Sequence, residues 1–189
     1  MELKTNYLGI ELKNPFIIGS SPLTNSIDRV KRLEDAGAAG LVMHSLFEEQ
    51  IIHETDIEGF RDHRYGTLLD DQQEVYPTAK DFPTNSASYL ELIQRLKSVT
   101  DLPVFASLNG VSEGVWIEYA RQIEEAGADG LELNLYTLPT NNDDDSRIVE
   151  KRLVEIVDVT RNSVSIPMAV KLSPQYTSIC NFAQRLEYA

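Results

Sequence analysis

The sequence predicts an α/β fold, a (β/α)8 TIM barrel of which the first five βα units are present. Three observations lead to this prediction. A helix–glycine–strand unit occurs twice, at residues 32–44 and 122–134, and its two copies match almost position by position. Short apolar strands alternate with amphipathic helices along the chain. The strands end in polar residues that are followed by loops, as at the functional rim of an α/β barrel.

The predicted elements follow one another in a regular order. Residues 5–15 are expected to form a small hairpin over one barrel mouth. Strands are predicted at 16–18, 41–43, 103–108, 131–135 and 167–174, with helices at 27–36, 86–96, 116–126, 147–161 and 179–188. The long excursion at 45–85 interrupts this rhythm. A connection of that length is usually a lid or a binding loop, and a surface insertion without a role is the alternative.

The number of strands sets the expected domain organisation. Five strands are recognisable, whereas a closed (β/α)8 barrel needs eight strands and about 250 residues. We therefore expect residues 1–189 to be a single domain, the N-terminal portion of a barrel truncated after its fifth strand. An open, doubly wound sheet of five strands is the alternative. It is disfavoured because the first strand–helix turn has no glycine-rich phosphate loop.

Composition and charge restrict the class of partner. The chain has 189 residues and a formal net charge of −13, which argues against nucleic acid or an anionic membrane as a partner. A single cysteine, Cys180, and the absence of an apolar leader or span predict a cytoplasmic protein. We expect a small-molecule substrate, and association between copies is left open. The three histidines, His44, His53 and His63, lack ligand spacing, so no metal site is expected.

Polar side chains cluster at the predicted carboxyl ends of the strands. Each has an ordinary explanation by itself, such as a capped turn or a buried hydrogen-bonded histidine. In a parallel barrel, however, all of these positions converge on one mouth, so together they predict a binding site. The set comprises Ser20, Ser21, His44, Ser45, Asn109, Asn134, Thr137, Lys171 and Ser173.

Lys171 is the most informative member of this set. It directly continues the apolar residues 168–170, and a buried ammonium needs an anionic or electron-rich partner. It could form a Schiff base with a carbonyl substrate. Alternatively, it could place a fixed positive charge beside a cofactor ring that gains negative charge on reduction. Asn109 and Asn134 favour the second use, because carboxamides offer paired donors and acceptors to a planar ring.

Three segments, residues 7–21, 131–135 and 167–174, together resemble dihydroorotate dehydrogenase, the FMN-dependent barrel of pyrimidine biosynthesis. The resemblance covers nearly the whole chain in order. It is closest to the soluble class and to dihydroorotate dehydrogenase-like proteins. It implies an FMN-dependent oxidoreductase that oxidises dihydroorotate or a related C–C bond next to a carbonyl group.

The resemblance also implies roles for individual residues. Thr137, three residues after the asparagine of the fourth strand, would be the catalytic base, and His44 and Asn134 would bind substrate. Lys171 would lie at the pyrimidine end of the flavin and would be the second catalytic residue beside Thr137. The implied cofactor-binding set is Gly19, Ser20, Ser45, Asn109, Asn134 and Lys171. The family's phosphate-binding loops follow its last strands and have no counterpart in these 189 residues.

Three departures from the family pattern leave the substrate open. His44 stands where the family has a lysine, residues 76–78 stand where the family has its substrate loop, and the loop at 136–141 differs from the family's. Flavin-side residues are thus kept better than substrate-side residues. Two alternatives to a flavin enzyme also stay open: a Schiff-base lyase or aldolase that uses Lys171, and an inactive truncated barrel fragment.

Overall fold

The computed structural model describes residues 3–47, 86–109, 113–137 and 139–189, with the backbone alone for 113–116. The strands are β1 (Thr5–Tyr7), β2 (Ile10–Leu12), β3 (Ile17–Ile18), β4 (Gly40–Phe47), β5 (Val104–Asn109), β6 (Gly130–Leu135) and β7 (Met168–Leu172). A short 3-10 helix spans Pro22–Asn25, and the α-helices are α1 (Ile27–Asp35), α2 (Ser86–Val99), α3 (Glu113–Glu125), α4 (Ser146–Ser163) and α5 (Ile179–Glu187). Most of the predicted excursion, residues 48–85, lies outside the described residues.

The main sheet is an open, parallel half-barrel of five strands in the order β3-β4-β5-β6-β7. The prediction of a (β/α)8 TIM barrel is therefore wrong for this chain, because β3 and β7 are edge strands of the described sheet and do not close it. A βα rhythm in the sequence indicates parallel neighbours, but it does not fix how many strands complete a sheet. The doubly wound alternative is also wrong, since the strand order follows the chain without a reversal.

The hydrophobic core lies between the sheet and the helices. Leu131, Leu133 and Leu135 of β6 are fully buried there with Ile123 of α3 and Ile156 of α4. Because side chains alternate across a strand, the intervening residues of β4–β7 face the opposite side of the sheet. We call that opposite side the inner face. It carries the polar residues discussed below.

The predicted N-terminal hairpin is present as the antiparallel pair β1–β2. Its two-residue turn has positive φ at both Leu8 (54°) and Gly9 (82°), the pattern of a type I′ turn. The ring of Tyr7 packs edge-on against Phe105 of β5, with 5.2 Å between ring centroids. Burial, and secondarily the charge of Glu132, raises the pKa of the Tyr7 hydroxyl. The hairpin therefore covers part of the inner face.

The two copies of the repeated sequence unit have the same structural role. Gly37 and Gly127 both end a helix with positive φ, 102° and 94°. Glu34, at the end of α1, accepts the backbone N–H of Asp101 at 3.0 Å in the loop before β5. The equivalent residue of α3, Glu124, accepts the backbone N–H of Ser165 at 2.9 Å in the loop before β7. Each unit thus anchors the loop that leads into a neighbouring strand.

The ring of Phe105 occupies the space beside two glycines of the adjacent strands. A Cβ atom added at Gly130 would lie 2.9 Å from Phe105 Cδ1 and 3.0 Å from the carbonyl oxygen of Pro167. A Cβ atom at Gly40 would meet Phe105 Cε2 at 3.4 Å and the carbonyl oxygen of Pro103 at 3.6 Å. Close packing of the Phe105 ring therefore explains why β4 and β6, the two strands beside β5, begin with glycine.

Strand β4 contains an irregularity that reorients His44. The register with β5 shifts between Val42 and Ser45, which indicates a β-bulge. The His44 ring packs edge-on against Tyr89 of α2 at a centroid distance of 5.0 Å and is only 7% exposed. Neither ring nitrogen has a hydrogen-bond partner among the described residues. Burial lowers the pKa of His44 to about 4, so the imidazole is neutral at pH 7.

The Gly130→Ala substitution should destabilise the protein by about 1–3 kcal/mol, because the new methyl group collides with Phe105 and with a backbone carbonyl that cannot move independently. Gly40→Ala is the matched control and should cost clearly less, since its contacts are 3.4 Å or longer. Urea unfolding of both variants measures the difference. Equal losses of stability would contradict the packing argument.

His44 should make the protein less stable in acid. Its pKa in the folded state, about 4, lies below the usual 6.5, so the unfolded chain binds more protons between these values. The free energy of unfolding should therefore fall by about 3 kcal/mol from pH 7 to pH 4 on account of this group alone. The non-titrating His44→Gln variant should lack that component in urea unfolding across the same range. Parallel losses in both proteins would contradict the prediction.

Candidate functional site

A continuous row of polar side chains crosses the inner face from β3 to β7. We call it the inner-face cluster; its members are Ser20, Ser45, Ser107, Glu132, Asn134 and Lys171. Ser20 Oγ lies 3.4 Å from Ser45 Oγ, and Ser45 Oγ lies 2.9 Å from Ser107 Oγ. Ser107 donates to Glu132 Oε1 at 3.2 Å, and Lys171 Nζ donates to the same carboxylate oxygen at 2.6 Å. Hydrogen bonds thus link five strands or strand ends in one network.

Asn134 is fixed in the middle of this cluster with one unused acceptor. Its Nδ2 donates to the carbonyl oxygen of Leu108 at 2.8 Å and to Ser107 Oγ at 2.9 Å. Its Oδ1 is buried and has no hydrogen-bond partner among the described residues, and Asn134 as a whole is only 1% exposed. Buried polar atoms are nearly always hydrogen-bonded. The orphaned oxygen is therefore suited to accept an N–H group from a ligand.

Lys171 is paired with a carboxylate, as expected from its place in an apolar strand. The Glu132 side chain is 13% exposed and the Lys171 side chain 38% exposed. The ring of Tyr136 also lies near the ammonium, with 5.9 Å from Nζ to the ring centroid. The positive charge predicted at this position is thus balanced by Glu132. An ammonium group that donates to a carboxylate has no free lone pair for Schiff-base formation.

Sequence reasoning missed two members of the cluster, Glu132 and Ser107. Both were detectable from the alternation of side chains along a strand. The buried Leu131, Leu133 and Leu135 all point towards the helices, which places Glu132 on the inner face with Asn134. In β5 the same period places Ser107 there as well.

Thr137, the predicted base, lies outside the inner-face cluster. It lines a cavity of about 240 Å³ formed by the loops that follow β6 and β7 together with the start of α4. Asp144, Ser173 and Tyr176 line the same cavity, and no member of the inner-face cluster does. The role of Thr137 stays a prediction.

The remaining predicted residues are distributed as follows. Asn109 ends β5 beside Asn134 in the sheet register and is half-buried. Gly19 is exposed, and a Cβ atom added to it would meet nothing within 4 Å. The bulge in β4 brings Ser45 rather than His44 into the cluster. A substrate-binding role for His44 therefore has no contact with the cluster to support it and stays a prediction.

Two negative findings apply to the described part of the chain. Its helices include none with the length and apolar character that crossing a membrane requires. In residues 3–47, 86–109, 113–137 and 139–189, no three His, Cys, Asp or Glu side chains are grouped so that they could hold a metal ion.

Solved structures of low sequence identity share this fold. Phosphonopyruvate hydrolase in complex with oxalate and Mg²⁺ superimposes with a TM-score of 0.55 and 14% identity over 93% of this chain and 55% of that one. A dihydrodipicolinate synthetase-like protein from Pseudomonas aeruginosa gives a TM-score of 0.54 and 15% identity over 92% and 52%. At these identities the similarity concerns the fold alone.

Sequence comparison gives relatives that are named as dehydrogenases. The chain is 24% identical to the NAD-dependent dihydropyrimidine dehydrogenase subunit PreA of Escherichia coli K12, over 96% of this chain and 44% of the relative. It is 26% identical to the catalytic subunit of dihydroorotate dehydrogenase B (NAD(+)) of Thermoplasma acidophilum, over 100% and 60%. The corresponding subunit of Methanocaldococcus jannaschii is also 26% identical, over 96% and 58%.

The chain thus spans about half the length of the curated relatives that it matches. No protein-family model matches it. The predicted resemblance to dihydroorotate dehydrogenase is confirmed, because the curated relatives include dihydroorotate dehydrogenase B catalytic subunits and the PreA subunit of dihydropyrimidine dehydrogenase.

Proposed function

We propose that this chain is part of an FMN-dependent oxidoreductase that oxidises a C–C bond next to a carbonyl group, as in dihydroorotate or a related ring. The observation that carries the proposal is the unpartnered, buried Asn134 Oδ1 beside the Lys171–Glu132 pair. Asn134 and Lys171 lie next to the carboxyl ends of parallel strands, where α/β barrels bind their ligands. The dehydrogenase names of the relatives support the same class of reaction.

The residues of the inner-face cluster fit the ring system of FMN. An isoalloxazine presents both N–H and C=O groups along one edge, which Asn134 Oδ1 and the Lys171 ammonium complement as acceptor and donor. The open space above Gly19 allows a planar group to approach the backbone. We propose that Gly19, Ser20, Ser45, Asn109, Asn134 and Lys171 hold the cofactor. When bound, FMN supplies the acceptor for the hydride.

The chain's own contribution to the chemistry is to orient the reacting rings and to remove a proton. Hydrogen bonds to Leu108 and Ser107 hold the Asn134 amide in one orientation, so its acceptor does not need to reorganise. Thr137 is proposed to take up the substrate proton. A threonine hydroxyl needs a neighbouring acceptor for its own proton, and Asp144 lines the same cavity.

A Schiff-base lyase or aldolase is the second candidate. The structure-level similarity to a dihydrodipicolinate synthetase-like barrel concerns the fold and does not support this chemistry for the chain. The 2.6 Å contact between Lys171 Nζ and Glu132 Oε1 argues against it, because a nucleophilic amine must be unprotonated. Borohydride trapping with a candidate aldehyde should therefore label no lysine.

The proposal is tested first by the flavin content of the full-length protein that carries this chain. The purified protein should show the visible absorption of bound FMN. Lys171→Ala should weaken FMN retention and slow flavin reduction, because a donor to the ring is lost. The control is Lys97→Ala, which removes a lysine paired with Asp129 at 2.7 Å outside the inner-face cluster. Unchanged FMN content and reduction rate in Lys171→Ala would remove Lys171 from the site.

Thr137 is tested by rapid kinetics of flavin reduction. If its hydroxyl takes the substrate proton, Thr137→Ala should slow flavin reduction by about 100-fold or more. Thr137→Ser keeps the hydroxyl group and should restore most of the rate. A loss of less than about threefold in Thr137→Ala, on the usual scale of general-base catalysis, would assign the proton transfer to another group.

A further inference from the structure

We propose that Tyr176 is a positioning residue for Thr137, the proposed base. Its side chain fixes the direction in which the chain leaves β6 and thereby places the Thr137 hydroxyl group. The inference rests on the proposed function and adds a residue to it. Tyr176 belongs to the loop between β7 and α5, and it is a member neither of the inner-face cluster nor of the set proposed to hold the cofactor.

The hydroxyl group of Tyr176 is bonded to the last residue of β6. Tyr176 Oη donates to the carbonyl oxygen of Leu135 at 2.8 Å. The register between β6 and β7 ends at the pair Leu135–Leu172, so this hydrogen bond lies at the end of the paired backbone. A hydrogen bond to that carbonyl group restricts the peptide unit that leads into the loop. The phenol of one loop therefore orients the start of the other.

The ring of Tyr176 is itself held by the core. It packs against the ring of Phe182 on α5, with 4.4 Å between ring centroids and 38° between the ring planes. Phe182 is completely buried. A tyrosine side chain has only two rotatable torsions before its hydroxyl group, so a packed ring leaves that group few positions. The Tyr176 hydroxyl group is thus a fixed point to which the end of β6 is tied.

The hydroxyl group keeps the proton that it donates. Burial raises the pKa of Tyr176, a hydrogen bond with Ser173 lowers it and the negative charge of Glu150 raises it, and the net shift is upward from the ordinary value of 10.0. The phenol is therefore neutral at physiological pH. Its hydrogen bond to Leu135 persists throughout the range in which an enzyme of this kind would work.

Thr137 lies two residues after Leu135, so its place follows from the direction that the chain takes there. Thr137, Ser173 and Tyr176 all line the cavity of about 240 Å³ between the loops that follow β6 and β7. The bond from Tyr176 to Leu135 joins these two loops beside the cavity. Because a reacting group that is misplaced by about 1 Å can lose about 100-fold in rate, a residue that fixes this loop affects proton transfer without touching the substrate.

Hydrogen exchange tests the positioning without any flavin chemistry, in the full-length protein that carries this chain. Tyr176→Phe keeps the ring on Phe182 and removes the hydroxyl group. The amides of residues 136–137 and 140–145 should then exchange about two- to tenfold faster, because one buried hydrogen bond is lost. Tyr188→Phe is the matched control and should change nothing, since Tyr188 follows α5 and is 80% exposed. Unchanged exchange in Tyr176→Phe would overturn the inference.

Rapid kinetics of flavin reduction test whether this positioning acts through Thr137. Tyr176→Phe should slow reduction by about tenfold and leave substrate affinity within about twofold. In the Thr137→Ala background the same substitution should cost less than about twofold, because the group that it positions is absent.

Two kinetic results would overturn the inference. One is an equal loss from Tyr176→Phe in both backgrounds, which would show a general structural effect. The other is a normal rate in Tyr176→Phe when Thr137→Ala is slow, which would leave the proposed function intact. The proposed function is contradicted separately by the absence of bound FMN from the unmodified protein, and the hydrogen-exchange comparison does not depend on that result.

Discussion

The arrangement of the polar side chains on the inner face depends on the Glu132 carboxylate. A carboxylate that is only 13% exposed is stable only when charged or polar groups replace the lost water. Lys171 and Ser107 do this by donating to the same oxygen, at 2.6 and 3.2 Å. Because Ser107 is also bonded to Ser45 and to Asn134, one buried charge sets the positions of side chains from four adjacent strands. The network orders the site before any ligand arrives.

Much of the local structure followed from the sequence because it is dictated by short-range physics. The repeated unit ends its helix with Gly37 in one copy and Gly127 in the other, and both take the left-handed conformation that glycine favours. Alternation of leucines in β6 correctly indicated a strand with its apolar side on the core. The parallel pairing of strands also predicted that Ser45 and Asn134 lie close together. In the structure Asn134 Nδ2 donates a hydrogen bond to Ser45 Oγ.

Other features of the structure could not be predicted from the sequence, because they depend on packing between distant parts of the chain. The prediction that five βα units belong to a (β/α)8 TIM barrel was wrong, because whether a sheet closes is decided by the pairing of its edge strands, and the described sheet is an open half-barrel. A bulge such as the one between Val42 and Ser45 depends on the register with β5, which local pattern does not reveal. The position of Thr137 depends on the conformation of a loop, and its spacing from Asn134 does not determine which cavity it lines.

The bulge connects the fold to the chemistry of the inner face. In regular register, alternation would place Val42 and His44 on the same side of β4, whereas the observed shift pairs Val42 with Phe105 and Ser45 with Ser107. The imidazole ring of His44 therefore contacts Tyr89, and the hydroxyl group of Ser45 joins the inner-face cluster in its place. The burial that keeps His44 neutral is the same burial that removes it from the site. With Lys171 paired to Glu132, the cluster presents hydrogen-bonding groups rather than an unpaired positive charge.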